Sequence, residues 1–289
     1  PKVNSEGETV LATLESKFDT RDYISSTKEA TSATSRTAHN RLKSLVKNGE
    51  IIGEGFHEKY GGFHAEVLAC KNSTQDPQDS TMYVTLEPCC FEGKTPACTK
   101  FIIENGIREV YISMEDPNPK VSGMGIKELE QHGIRVNVGL LKKNCEWLNR
   151  GYIKLITTNK PWVIAKVAES ENNFLGLDSK SKINITGKEA KAHSHELRKN
   201  VDAIMVGRQT ALIDNPQLTV RHIKGNNPIR IVLDTNRKLP LTLKIFRDNN
   251  AKTIVLCSRV KFEKTSTSFS KYIPVEEDDN GKLCLHDIL

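Results

Sequence analysis

The chain has 289 residues, 37% hydrophobic and 27% charged, which is typical of soluble globular proteins with room for two domains or three small ones. It contains neither an apolar stretch long enough to span a membrane nor a signal-peptide pattern, so no membrane partner is expected. The net charge of +6 suits a phosphate-bearing ligand or nucleic acid.

The first fifty residues are polar, and their apolar side chains recur with helical spacing. We predict helices over 9–17, 20–26 and 35–47, which give residues 1–44 the form of a short helical segment. Basic residues near its end resemble the recognition helix of a winged helix-turn-helix protein, which lies in a DNA groove: Arg36, Arg41, Lys43 and Lys47. A nucleic-acid partner bound through residues 1–47 is therefore one hypothesis. A solvated helical segment packed on the next domain is the alternative that we favour.

Residues 45–155 alternate between predicted strands and helices. Two apolar runs, Leu45-Val46 and Ile51-Ile52, flank Asn48-Gly49, which is a strong signal for a β-hairpin. Helices are predicted over 64–71, 99–105 and 126–132, and strands over 82–86, 110–114 and 135–138. This alternation predicts an α/β domain with neighbouring parallel strands.

Residues 156–162 have the composition of a domain boundary, and residues 160–289 form the next predicted domain. Its predicted elements are strands over 162–167, 203–206, 229–233 and 253–257 and a helix over 188–199. The last thirty residues are polar and weakly patterned. This region is therefore also predicted to form an α/β domain.

A metal centre is predicted in the first α/β domain. His64, Cys89 and Cys98 offer one imidazole and two thiolates, and three protein ligands leave a fourth zinc position open, as in catalytic zinc sites. Glu66 lies two residues after the histidine, where a proton shuttle is needed. Histidine-x-glutamate followed by proline-cysteine and a second cysteine is the pattern of zinc-dependent base deaminases. The alternative is a closed structural site with Cys90 as the fourth ligand.

Seven cysteines are present, an odd number for a disulfide framework. The four that lie outside the cysteine loop show no common spacing: Cys70, Cys145, Cys257 and Cys284. This favours a reducing compartment, and we expect a cytoplasmic protein.

The loop between the metal-site cysteines is more specific than the general deaminase pattern. Eight residues separate Cys89 from Cys98, where most zinc deaminases have two, and they include Gly-Lys-Thr-Pro. With Gly55-Phe56-His57, Asp116-Pro117-Asn118-Pro119 and the run Asp-Asn-Pro-Gln-Leu-Thr-Val-Arg at 214–221, this loop resembles the bifunctional riboflavin biosynthesis deaminase-reductase family. The resemblance covers roughly residues 45–260.

The resemblance implies a cytidine-deaminase-like three-layer αβα domain over 45–155, followed by a partial dihydrofolate-reductase-like α/β domain over 160–289. It also implies two reactions in riboflavin biosynthesis. The first is zinc-dependent deamination of 2,5-diamino-6-(5-phosphoribosylamino)pyrimidin-4(3H)-one, and the second is reduction of the ribosyl chain to ribityl by NADPH. The partner would be this small phosphorylated pyrimidine, and a substrate that passes between two sites makes a homo-oligomer the expected state.

Roles carry over from the family residue by residue. Zinc is assigned to His64, Cys89 and Cys98, and acid/base catalysis to Glu66. The deaminase pocket is assigned four further residues, which are His57, Lys94, Thr95 and Asn118. Substrate contacts in the reductase half are assigned to Arg198, Leu218 and Arg221, and NADPH contacts to Ala168, Thr210 and Asp214.

The chain departs from the family pattern at both ends. Where the family has a Pro-Asn-Pro segment before the hairpin, residues 37–42 read Thr-Ala-His-Asn-Arg-Leu. The chain ends at Leu289, before the glycine-rich segment that closes the cofactor site in the family, so we expect an incomplete reductase half. Two other interpretations stay open. One is a zinc deaminase acting on another nucleoside or base, and the other is a DNA-binding regulator with a degenerate deaminase-reductase body.

Overall fold

A computed structural model of the chain describes residues 43–57, 61–174, 184–263 and 270–289. The chain divides into two compact units, and the division falls between Trp162 and Val163. Within the described ranges, no helix is both long and apolar enough to cross a membrane. The helices predicted over 9–17 and 20–26, and the winged-helix form of residues 1–42, lie outside the described residues.

The first unit contains a mixed five-stranded sheet with the strand order β2-β1-β3-β4-β5. The strands are β1 (Lys43–Lys47), β2 (Glu50–Gly55), β3 (Thr81–Val84), β4 (Glu109–Ile112) and β5 (Arg135–Val138). β1 runs antiparallel to β2 and β3, whereas β3, β4 and β5 are parallel to one another. The helices of this unit are α1 (Ala65–Lys71), α2 (Cys98–Glu104), α3 (Met124–Gln131) and α4 (Lys142–Thr158).

The structure confirms the predicted hairpin and corrects the helix that was predicted before it. Asn48 and Gly49 connect β1 to β2 with φ values of 51° and 79°, the left-handed backbone of a tight hairpin turn. The helix predicted over 35–47 is wrong at its end, because residues 43–47 form β1. Lys43 and Leu45 are both buried, so their side chains follow the two-residue period of a strand.

Two glycines on β2 let α1 approach the sheet closely. A Cβ atom added at Gly53 would lie 2.2 Å from the Ala69 carbonyl oxygen, and one at Gly55 would lie 2.3 Å from the Ala65 carbonyl oxygen. Both distances are far below van der Waals contact, and the atoms met are helix backbone that cannot turn aside. The glycines therefore permit the close packing of α1, which begins immediately after His64.

Gly55→Ala is expected to destabilise the first unit by about 1–3 kcal/mol, because the added methyl group overpacks the contact between β2 and α1. Urea unfolding followed by tryptophan fluorescence would measure this, since both tryptophans, Trp147 and Trp162, belong to the first unit. Gly151→Ala is the matched control. Gly151 lies inside α4, where the nearest neighbour of an added Cβ is 4.0 Å away, so alanine should stabilise by about 0.5–1 kcal/mol. Equal effects at the two positions would contradict the packing argument.

The second unit contains a four-stranded, fully parallel sheet in the order β6-β7-β8-β9. Its strands are β6 (Ala203–Gly207), β7 (Ile229–Leu233), β8 (Thr253–Ser258) and β9 (Ser270–Val275). Its α-helices are α5 (Lys188–Lys199), α6 (Arg208–Asp214), α7 (Lys244–Arg247) and α8 (Leu285–Ile288). Val232 on β7 packs into one apolar cluster, and its neighbours Ile231 and Leu233 pack into another. Both faces of the sheet are therefore covered, as parallel sheets require.

Two predictions for the second half of the chain are wrong. Residues 162–167 form no strand, although Trp162–Val167 is an apolar run with β-branched residues. Several of its side chains are exposed, including Val163 at 57% and Val167 at 61%, so the run has no sheet neighbour in the described part of the chain. The last thirty residues are more regular than predicted, because they contain β9 and α8.

Candidate active site

Three predicted metal ligands converge in the first unit. The donor atoms of His64, Cys89 and Cys98 all lie within 4.8 Å of one another. His64 Nδ1 is 3.2 Å from the Cys98 sulfur and 3.5 Å from the Cys89 sulfur. Cys90 does not belong to this group of donors, so the alternative of a closed four-ligand site that uses Cys90 is not supported. One imidazole and two thiolates at this spacing are a donor set that suits zinc.

The pKa values of the two metal-site cysteines shift in opposite directions. The pKa of Cys89 is lowered to about 5, chiefly because the Cys98 thiol donates a hydrogen bond to its sulfur, with further bonds from His64 and from the Cys98 backbone N–H. The pKa of Cys98 is raised well above its ordinary value, because this thiol donates to Cys89 and is buried. The pair therefore holds a single proton, which a metal bound by both sulfurs would displace.

Glu66 lies beside the three donors, on the first turn of α1, and is only 5% exposed. Its Oε1 atom is 3.6 Å from the Lys43 ammonium nitrogen, and both side chains are buried. Lys43 Nζ also donates a hydrogen bond to the Leu86 carbonyl oxygen at 3.2 Å. The structure thus corrects the role of Lys43, because this lysine points into the domain and not toward DNA. Lys47, another residue of the proposed DNA-facing set, lies on β1 and donates to the Asp76 carbonyl oxygen at 3.0 Å.

The four predicted pocket residues lie at different depths. His57 is buried, and its ring lies edge-on to that of His64 with 5.3 Å between centroids. Lys94 is exposed and Thr95 half-buried, both on the loop that joins Cys89 to Cys98. Asn118 is half-buried and shapes its own turn, since its side-chain oxygen accepts from the Lys120 N–H at 3.1 Å. The structure therefore brings His57 to the metal-site residues and puts the other three on two nearby loops.

Glu87 is a structural anchor of the site that sequence reasoning missed. It is 3% exposed and directly precedes Pro88-Cys89. Its carboxylate accepts four backbone N–H bonds at 2.9–3.2 Å, from Asp116, Gly123, Gly125 and Ile126. Four donors on one buried carboxylate tie the Cys89 turn to the loop before α3 and to the start of that helix. An acidic residue immediately before the proline-cysteine pair was the signal available in the sequence.

Glu87→Ala is expected to lower zinc affinity by about 10- to 100-fold, the range seen when residues that support metal ligands are removed. It should also cost about 1–3 kcal/mol of stability, because buried N–H groups lose their acceptor. A competition titration against a chromogenic zinc chelator measures the affinity. Glu130→Ala is the control and should leave zinc affinity unchanged, since Glu130 is an exposed glutamate on α3, the helix whose first N–H groups donate to Glu87. Unchanged zinc affinity in Glu87→Ala would show that the Cys89 turn does not need this anchor.

In the second unit, the structure brings together the two arginines that were predicted to bind substrate. Arg198 Nη1 donates to the Thr219 carbonyl oxygen at 2.7 Å, and Arg221 Nη1 donates to Thr219 Oγ1 at 3.2 Å. Burial and the charge of Arg221 lower the pKa of Arg198. Leu218, next to Thr219, is buried and belongs to the apolar cluster that contains Val232. Two neighbouring guanidinium groups suit a phosphate.

His195 connects these arginines, and sequence reasoning did not single it out. Its Nδ1 accepts the Arg221 backbone N–H at 3.0 Å and lies 3.5 Å from Arg198 Nη1. Burial, followed by the charges of Arg198 and Arg221, lowers the pKa of His195. A neutral ring that accepts at Nδ1 carries its proton on Nε2. His195 therefore orients both arginines without adding a positive charge.

The predicted cofactor positions lie on other segments. Thr210 and Asp214 are on α6, and Ala168 is in the irregular stretch that follows the boundary. Among the described residues, none of the three forms a hydrogen bond with the arginine cluster. The structure therefore assembles the predicted substrate arginines but does not join them to the predicted cofactor positions.

Two family models match the chain in succession. The cytidine and deoxycytidylate deaminase zinc-binding region matches residues 25–114, and the RibD C-terminal domain matches residues 161–287. The first match contains all three convergent donors, and the second contains the arginine cluster. Together they confirm the predicted α/β fold class, with a deaminase-like domain followed by a reductase domain.

Curated relatives extend this similarity over most of the chain. A riboflavin biosynthesis protein RibD from Actinobacillus pleuropneumoniae is 43% identical over 201 residues, which are 70% of this chain and 54% of the relative. The corresponding protein of Aquifex aeolicus is 39% identical over 216 residues, which are 74% of this chain and 61% of the relative. The chain thus spans between about half and two thirds of the length of these relatives.

Solved structures show the same likeness in three dimensions. The chain resembles the diaminohydroxyphosphoribosylaminopyrimidine deaminase/5-amino-6-(5-phosphoribosylamino)uracil reductase of Thermotoga maritima with a TM-score of 0.77 and 34% identity, covering 85% of this chain and 70% of that one. It resembles RibD of Acinetobacter baumannii with a TM-score of 0.76 and 30% identity, covering 89% and 72% of the two chains. With both family models in the same order and this coverage of a solved relative, the chain belongs to the RibD family of riboflavin biosynthesis proteins.

Proposed function

We propose that the first unit is a zinc-dependent deaminase of 2,5-diamino-6-(5-phosphoribosylamino)pyrimidin-4(3H)-one. The observation that carries the proposal is the group of His64, Cys89 and Cys98, with donor atoms within 4.8 Å of one another and the buried Glu66 beside them. The substrate comes from family membership and from the printed name of the Thermotoga maritima relative. The domain limits proposed are residues 45–155 for the deaminase and 160–289 for the reductase.

Zinc would be held by His64 Nδ1 and the sulfurs of Cys89 and Cys98. The lowered pKa of Cys89 supports this assignment, because a thiolate is the form of cysteine that binds metal. When bound in such an open site, zinc acts as a Lewis acid and lowers the pKa of water toward neutrality.

Glu66 would carry the protons of the reaction. Water adds to the ring carbon that bears the exocyclic amine, the carbon–nitrogen bond breaks, and the products are the ring carbonyl compound and ammonia. Glu66 takes one proton of the attacking water and passes it to the ring nitrogen, and it then moves the proton of the new hydroxyl group to the departing amine. His57, Lys94, Thr95 and Asn118 are the proposed pocket residues, and the exposed Lys94 is suited to the substrate phosphate or a carbonyl oxygen.

For the second unit we propose the NADPH-dependent reduction of the ribosyl chain to ribityl. The paired guanidinium groups of Arg198 and Arg221 support phosphate binding there, with Leu218 as a further substrate contact. Ala168, Thr210 and Asp214 are the proposed NADPH contacts, and NADPH would supply the hydride. A cytoplasmic location and a homo-oligomeric state complete the proposal.

The decisive experiment measures ammonia release from the diaminopyrimidinone ribosyl phosphate by the purified, zinc-loaded chain in the absence of NADPH. We expect one ammonia per substrate consumed. Adding NADPH should then cause its oxidation in proportion to the deaminated product if the second unit is active. Release of ammonia only from cytidine, deoxycytidylate or another base would favour a deaminase of different specificity. No release from any of them, combined with salt-dependent DNA binding, would favour the regulator.

A further inference from the structure

A lysine is buried next to Glu66 in the proposed deaminase site. Lys43 is 2% exposed and is one of the largest fully buried side chains in the described part of the chain. Lysine is almost never fully buried unless its charge is paired, because removing an ammonium group from water is costly. A lysine at this depth therefore points to a specific negative partner.

That partner is Glu66, the proposed acid/base. The Lys43 ammonium nitrogen lies 3.6 Å from Glu66 Oε1, and the side chains are 2% and 6% exposed. The same nitrogen donates to the Leu86 carbonyl oxygen at 3.2 Å. Leu86 immediately precedes Glu87-Pro88-Cys89. One ammonium group thus connects the carboxylate on α1 with the chain that leads to a metal-site cysteine.

The position of Lys43 is fixed by the sheet. It is the first residue of β1, the strand between β2 and β3, and pairs with Gly55 on one side and Val84 on the other. Gly55 is one of the two glycines that let α1 approach the sheet closely. The ammonium group and the carboxylate are therefore carried by elements that pack directly against each other.

The Glu66 carboxylate brings a negative charge into a buried part of the site, where an uncompensated charge is costly. The ammonium group of Lys43 offsets it, and at a short separation in a poorly solvated site such pairing is strong.

We infer that Lys43 is a positioning residue of the deaminase, whose ammonium group orients and neutralises the Glu66 carboxylate. The inference rests on the proposed function. Lys43→Met and Lys43→Gln keep most of the length of the side chain and remove its charge. Both are expected to lower kcat by about tenfold or more, because a small misplacement of a catalytic group is costly, and to leave KM within about threefold. Zinc content per chain should not change.

Lys47→Met is the matched control, since Lys47 lies on the same strand and donates to the Asp76 carbonyl oxygen, away from Glu66. It should leave kcat unchanged. A kcat for both Lys43 variants within about twofold of the original would overturn the inference. So would a raised KM with unchanged kcat, which would mean direct substrate contact, or loss of zinc, which would mean a role in metal binding.

A stability measurement separates this inference from the proposed function. Thermal unfolding, followed by tryptophan fluorescence, is compared for Lys43→Met, Glu66→Gln and the double variant. A charge pair predicts that the double variant loses clearly less stability than the sum of the single losses, since each single change leaves a buried charge without this partner. Additive losses would overturn the pairing. If ammonia release fails while this coupling is found, the proposed substrate is wrong and the Lys43–Glu66 pair stands.

Discussion

Glu66→Gln is expected to lower ammonia release by about 10²- to 10⁴-fold, the usual contribution of a positioned general acid or base. Glu66 is 5% exposed and lies on the first turn of the helix that follows His64, yet it is not one of the three convergent donors. Glutamine keeps the size of the side chain and cannot take up a proton at neutral pH. The chemical step should therefore be lost while the metal site remains.

Two measurements distinguish this outcome from a damaged site. Zinc per chain, measured by atomic emission, should equal that of the original chain, and the competition affinity for zinc should change little. Glu104→Gln, an exposed glutamate on α2, is the matched control and should retain full activity. Turnover that persists in Glu66→Gln with zinc bound would mean that another group moves the protons.

Local patterns predicted much of the first unit. The Asn48-Gly49 turn, the helix after His64 and the strand at 135–138 depend on residues that are close in sequence, and the structure confirms all three. The helix over 188–199 in the second unit is of the same kind. Each of these elements could be recognised from residues close together in the sequence, so no distant contact was needed.

Elements that depend on distant partners were predicted poorly. Residues 162–167 have the composition of a strand but form none, because a strand needs a neighbour whose position local sequence does not encode. β9 was missed for the converse reason: its run Ser270–Val275, which contains Pro274, becomes a strand by pairing with the apolar β8. Residues 43–47 were predicted as the end of a helix and form β1 instead, because a lysine at position 43 is typical of a surface residue and gave no sign of a buried strand.

The candidate site shows the same division. Spacing and residue type were enough to predict His64, Cys89, Cys98 and Glu66, because few kinds of side chain can bind zinc or move a proton beside it. Lys43 and Glu87 were missed, since lysine and glutamate are common on surfaces and only their burial makes them notable. Lys43 stands two residues before the buried Leu45, in phase with the inward face of β1.

The largest expected effect on stability is at Arg230 in the second unit. Arg230 lies on β7 and is 0% exposed. Its guanidinium group donates to Asp248 Oδ1 at 2.6 Å and to the carbonyl oxygens of Gln217, Asp248 and Ala251. It thereby ties the segment that contains the predicted substrate residues Leu218 and Arg221 to the turn before β8.

Arg230→Met is expected to destabilise the second unit by about 3–5 kcal/mol, because it removes the fully buried member of an ion pair and takes the guanidinium donor away from its carbonyl and carboxylate partners. Both tryptophans lie in the first unit, so the transition seen by far-ultraviolet circular dichroism should shift while the one seen by tryptophan fluorescence does not. Arg247→Met, at an exposed arginine on α7, should change stability by less than about 0.5 kcal/mol. A fluorescence transition that shifts as much as the dichroism would show that the two units unfold together, and no shift in either would show that the buried arginine contributes nothing.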